Sequence, residues 1–141
     1  MSSYDLSQAL GDHDVTVETV DVIEAGADLV IKARFKFKDG EIGSKDAYPL
    51  KSEASAQMSR KMMSAMGFDM GKRDLGELQK NPELLKGNPC RAVVQENEYN
   101  GNVTNRIAFI NAIPKQASRS LLDKANAALK AVKKNDKSEE L

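Results

Sequence analysis

The stretch that most constrains the fold is LVIKARFKFK, residues 29–38. Taken two by two it separates cleanly. Ile31, Ala33, Phe35 and Phe37 fall on one side; Lys32, Arg34, Lys36 and Lys38 fall on the other. Successive side chains of a β-strand leave opposite faces of its sheet, so strict alternation marks a half-buried strand. At about 3.3 Å per residue the four cations form a row roughly 20 Å long. Such a row is either a solvated sheet face, because lysine also guards strands against edge pairing, or a track for a polyanion.

The row stands out because the chain as a whole is neutral, with 21 bases and 21 acids. Residues 1–28 carry seven acids and no Lys or Arg; residues 29–91 have a net charge of +5 and residues 92–141 of +2. Segregation of this kind speaks to partners rather than to fold. The acidic N-terminal part is expected to screen the basic face, or to occupy it when no ligand is bound.

Length and composition narrow the class. A chain of 141 residues fits one domain with tails and has enough material for a core. No apolar run approaches the ~18 residues of a membrane span. The N-terminus, MSSYDLSQALGDHD, is acidic and lacks the basic and apolar regions of a signal peptide. Cys90 is the only cysteine, which excludes an internal disulfide and a cysteine-rich zinc site. A cytoplasmic protein without cofactor or metal is expected.

Read along the chain, residues 1–14 form a polar acidic segment. Residues 15–24 are rich in β-branched residues, and their apolar phase shifts between Val17 and Val20, which predicts a bulged strand. The basic strand ends at Asp39-Gly40. A weaker third strand is expected around residues 47–50, interrupted by Pro49. The period then becomes helical from Ser52 or Glu53 to Met66, with Ser52 as N-cap and Gly67 as stop. Met58, Met62 and Met66 read as a core face, although a methionine cluster also suits an adaptable binding surface. A short helix over residues 74–80 lies in a polar connection. Strands over 90–99 and 103–113 flank Asn100-Gly101, a strong hairpin signal. Residues 118–132 form an amphipathic helix with Leu121, Leu122, Leu129 and Val132 on one face, and residues 133–141 read as a frayed tail.

Strand, strand, strand, helix, hairpin is the element order of an OB-fold. The expected class is therefore mainly β with helices (α+β): a five-stranded OB-fold-like Greek-key barrel over residues 15–114, with a helix between strands three and four and a C-terminal helix over 115–132. A five-stranded α+β sandwich fits the same order.

Enzyme chemistry is missing from the sequence. There is no P-loop and no GxGxxG after a strand. His13 is the only histidine, and between Asp12 and Asp14 it reads as surface decoration. Cys90 has no second histidine to activate it and reads as a buried structural thiol. A non-enzymatic binding protein is expected. Phosphates would meet Lys32, Arg34, Lys36 and Lys38, with Lys45 and Lys51 as loop contributors, and bases would stack on Tyr48 and Tyr99. Phe35, Phe37 and Phe109 read as core.

The segment Glu98-Tyr99-Asn100-Gly101-Asn102-Val103-Thr104-Asn105-Arg106-Ile107, followed by Phe109, resembles the terminal hairpin of small phage-encoded OB-fold single-stranded-DNA-binding proteins, which occur among replication and recombination genes. The resemblance covers the element order from about residue 15 to 113. It implies binding of single-stranded DNA with little sequence preference, adds Arg106 to the expected contacts, and implies replication or recombination proteins as partners in a host cytoplasm. The rival expectation is an interaction or host-inhibitor protein. Its alternating strand would be a guarded face, and its last helix would pair with a partner or with a second copy in a homodimer.

Overall fold

One long strand, used twice, organises the sheet. In the computed structural model, which describes residues 5–114 and 116–140 and side chains as far as residue 132, β1 (Gly11–Ala25) changes partner along its length. Its first part pairs with β4 (Pro89–Tyr99) and its second with β2 (Asp28–Lys36), and Thr16 pairs with both Pro89 and Lys36. The expected bulge falls between Val17 and Thr19, where the register of the β1–β2 ladder shifts. A bulge bends its strand and raises the local twist, which lets one strand serve two ladders at different angles.

The remaining strands add outward. β3 (Ile42–Ala47) pairs with β2, and β5 (Asn102–Asn111) pairs with β4 through the Asn100-Gly101 turn. Both turn residues have positive φ, 51° and 80°, as a type I′ hairpin requires. The result is an open five-stranded antiparallel sheet in the order β3-β2-β1-β4-β5. Three helices accompany it: α1 (Glu53–Ala65), α2 (Leu75–Lys80) and α3 (Arg119–Glu140). Ser52 Oγ accepts from Ser55 N–H and caps α1, and Ser118 Oγ accepts from Leu121 N–H at the start of α3. Asp74 and Glu77 form a capping box on α2.

Several expected boundaries move. The first strand starts at Gly11 rather than Val15, so residues 11–14 belong to the sheet instead of a separate acidic segment. The third strand is Ile42–Ala47, and residues 48–50 follow it as a turn. The expected tail over 133–140 continues α3 as helix. Residues 1–4 of the expected N-terminal segment and residue 141 of the expected tail lie outside the described residues.

The sheet curls until its two edges, β3 and β5, approach each other. They do not pair, so the expected closed barrel is replaced by an open sheet whose seam other elements cover. Gly43 on β3 marks the tightest point. A Cβ there would lie 2.9 Å from Ile107 Cδ1 on β5 and 3.1 Å from both Leu6 Cδ2 and Phe37 Cε2. Residues 6–8 strap this end of the seam. Leu6 N–H donates to the Asn105 carbonyl at 2.9 Å and Asn105 Nδ2 donates to the Gln8 carbonyl at 3.0 Å. From the same strap Ser7 N–H donates to Glu41 at 3.0 Å and Gln8 Nε2 to Asp39 at 2.8 Å. Leu6 is buried in the core, so the chain is anchored from this residue onward. At the other end α1 lies against β3 and β5.

These bonds act on the two carboxylates. Partial burial pushes the Glu41 carboxyl up, but the Ser7 N–H, the Gln8 amide and the Ser7 hydroxyl outweigh it and hold Glu41 below the usual range. The Glu41 N–H, then the Gln8 amide, hold Asp39 low.

The core runs between the inner sheet face and the helices. It takes Val15, Val17, Val20, Ile31, Phe35 and Phe37 from the first two strands, and Met62, Met63, Met66 and Phe68 from α1 and the residues after it. Beyond the point where β4 leaves it, β1 finds substitute partners. Val17 N–H donates to Asn88 O, Gly87 N–H to Val17 O and Val20 N–H to Pro82 O, so the connection after α2 satisfies the orphaned strand edge.

Candidate nucleic-acid interface

The outer face of β2 presents its cations on three rungs, because residues directly opposite in antiparallel strands share a face about 5 Å apart. Lys36 lies between Ile42 on β3 and Thr16 on β1; Arg34 lies between Ser44 and Thr19; Lys32 lies between Asp46 and Asp21. Their counterparts Ile31, Ala33 and Phe35 are all buried on the core side, as alternation requires. The three rungs differ in charge. Lys32 is half-buried and has a carboxylate on each side, so its positive field is largely offset. Arg34 and Lys36 are exposed and have no acid on their rungs. Lys38, past the end of β2, is exposed in the turn to β3. Among the described residues none of these four cations forms an ion pair within 4.0 Å, whereas Arg91 on β4 is paired with Asp14 on β1 at 3.3 Å. The positive track is thus Arg34, Lys36 and Lys38. In the strand register of the described residues, an acid of the N-terminal part, Asp21, lies opposite Lys32 of the basic row.

The other expected contacts are distributed more widely. Lys45 is opposite Ala33, on the core-facing side of β3. No strand pairs with the far edge of β3, so the Lys45 side chain emerges at the seam instead of joining the row. Tyr48 follows β3 and is partly exposed, with Lys51 Nζ 5.8 Å from its ring centroid. That pair lies at the Lys32 end of the row. Tyr99, exposed at the hairpin tip, belongs to the part of β4 that extends beyond Gly11, the start of β1. Tyr48 and Tyr99 therefore do not form one stacking platform. Arg106 lies opposite Gln95 on that same outer hairpin and is half-buried.

Phe109 departs from its core assignment. A register shift places Val93 opposite Phe109 and Val94 opposite Ile107, with Ala108 as the extra residue. Ile107 stays inside with Val94, and Phe109 turns out with Val93, 45% exposed. There it borders a groove of about 240 Å³ between β3 and β5, above α1. Tyr48, Met58, Met62 and Phe109 give this groove its apolar wall, and Lys45 and Lys61 also line it. Met58, read as core, is 56% exposed there. Alternation alone gave no sign of Phe109, because a bulge leaves the apolar pattern intact while reversing the faces.

Burial pushes the Cys90 thiol up to about 12, so it stays protonated and unreactive at neutral pH. His13 is half-buried, its ring edge-on to Phe37 at 5.5 Å, rather than a surface ornament. No three His, Cys, Asp or Glu among the described residues are grouped to hold a metal ion. Nor is any described helix long and apolar enough to cross a membrane. No protein-family model matches the chain, and no curated protein matches it.

Proposed function

We propose that this chain binds single-stranded DNA with little sequence preference, its phosphates lying along the outer face of β2. The observation that carries the reading is the exposed run of Arg34, Lys36 and Lys38, for which the described residues show no ion pair within 4.0 Å, whereas Arg91 on β4 is paired with Asp14. The exposed hydroxyl of Thr16, opposite Lys36, flanks the run and suits a phosphate oxygen. The strand order, with α1 between the third and fourth strands, supports an OB-fold-like Greek-key barrel, with Leu6 and α1 standing where β3–β5 pairing would close it. The setting, phage DNA replication or recombination with proteins of that machinery as partners, rests on the resemblance of the β4–β5 hairpin.

Fluorescence anisotropy of a labelled ~30-nucleotide single strand, titrated at several salt concentrations, tests this. Three phosphate contacts give a log–log salt slope of roughly −2 on a single strand. Arg34→Glu combined with Lys36→Glu abolishes binding and leaves the thermal melt unchanged. A folded double mutant with full affinity would move the site off β2.

A second activity is supported by α3. Among the described residues Leu121, Leu122, Leu129 and Val132 are 42–68% exposed, on a helix with no extensive packing against another element. That face suits self-association, a homodimer through α3, which light scattering measures directly and which is compatible with strand binding.

A further inference from the structure

The groove at the β3–β5 seam plays no part in a phosphate track, yet two exposed aromatic rings border it. We propose that it takes an unstacked nucleobase of the bound single strand. The proposal rests on the single-strand reading above and extends it from the backbone to the bases.

Three observations converge on that occupant. The first is size. At about 240 Å³ the groove is smaller than the ~300–1,000 Å³ pockets that hold drug-sized ligands, and a single flat ring system suits it better than a helix some 10 Å across. The second is the wall. Tyr48 comes from the end of one edge strand and Phe109 from the other, with the Met58 thioether below them on α1. Aromatic faces take any base by stacking, and thioethers adapt to ring edges. The third is charge and position. Lys45 and Lys61 line the groove against one carboxylate, Asp46, and Lys51 stands over Tyr48, so the charge around its mouth is net positive and favours an anionic backbone there. The chain's own α3 carries six bases against four acids, a net of +2, and like charge disfavours its docking there.

The groove also sits where the track ends. A strand following Lys38, Lys36 and Arg34 next meets the rung of Asp46, Lys32 and Asp21, whose two carboxylates repel phosphate. Tyr48 lies two residues beyond Asp46. A backbone turned aside at this rung brings its next base to the seam, with Lys45 and Lys51 available for the flanking phosphates.

Two labelled oligonucleotides of equal length separate bases from phosphates: a thymidine oligomer and its abasic counterpart. The full chain is expected to bind the thymidine strand about tenfold more tightly, consistent with base–aromatic stacking. Phe109→Ala and Tyr48→Ala each remove most of that gap by weakening thymidine binding alone, and Tyr99→Ala leaves the gap in place. Equal binding of both strands by the wild type overturns the pocket and leaves the phosphate track standing. So does a Phe109→Ala variant that weakens both strands equally, or a gap that follows Tyr99. Failure of both strands to bind at low salt overturns the single-strand reading and the pocket together. Self-association lost in Phe109→Ala, with no base-dependent gap, would assign the groove to a second copy and overturn the pocket.

Discussion

The two ends of the β3–β5 seam solve one problem in opposite ways. Both leave a strand edge without a paired neighbour, a standing invitation to aggregation. At the Gly43 end, side chains interlock: Ile107, Leu6 and Phe37 converge on a position where only a hydrogen fits, and the strap over residues 6–8 is stitched to Asp39, Glu41 and Asn105. At the Tyr48 end, α1 supplies a floor but no lid, and large side chains remain in solvent. The first end is built for stability, and the second leaves large side chains at the surface without disturbing the core.

Mutations sharpen this contrast. The largest effect is expected from Ile107→Ala, which empties a buried site at the closed end and costs about 2–5 kcal/mol in chemical denaturation. Phe109→Ala, two residues away but exposed, costs under ~1 kcal/mol. Equal losses would show that the seam is packed alike throughout. Gly43→Val comes next. It forces branched carbons into a space already closed at 2.9 Å and costs about 1–3 kcal/mol, partly relieved because the nearest atom is the tip of Ile107. A stabilised Gly43→Val variant would mean the closed end is looser than described.

The smallest effect concerns pH. Asp39 and Glu41 are held below their ordinary values, so their contribution is present above the unfolded-state range near pH 4 and fades as pH falls through the folded values. Protection factors of the Leu6 and Ser7 amides should drop at acidic pH before those of the β1–β2 ladder. Simultaneous loss would show that the strap is not a separate unit.

What the sequence could reveal followed from local chemistry. Alternation in residues 29–38 located β2 and both of its faces, the phase shift at Val17 located the bulge in β1, and Ser52, Ser118 and Asn100-Gly101 located two helix starts and a turn. Features that depend on distant partners were hidden. Gly11 to Asp14 look like polar loop because their strand character comes from pairing with β4. The charges that offset Lys32 sit on two other strands, at Asp21 and Asp46, and no window along the chain contains all three. Phe109 was hidden by one extra residue, Ala108, whose effect is set by register against Val93 and Val94.

Cys90 gives the molecule a built-in clock. It is the chain's single thiol, fully buried where β4 meets Val15 of β1, and its proton is held to about pH 12. A thiol reagent therefore has one target and must wait for the β1–β4 ladder to part. Its rate of reaction counts openings at the centre of the sheet, separately from any motion of the strap or of α3.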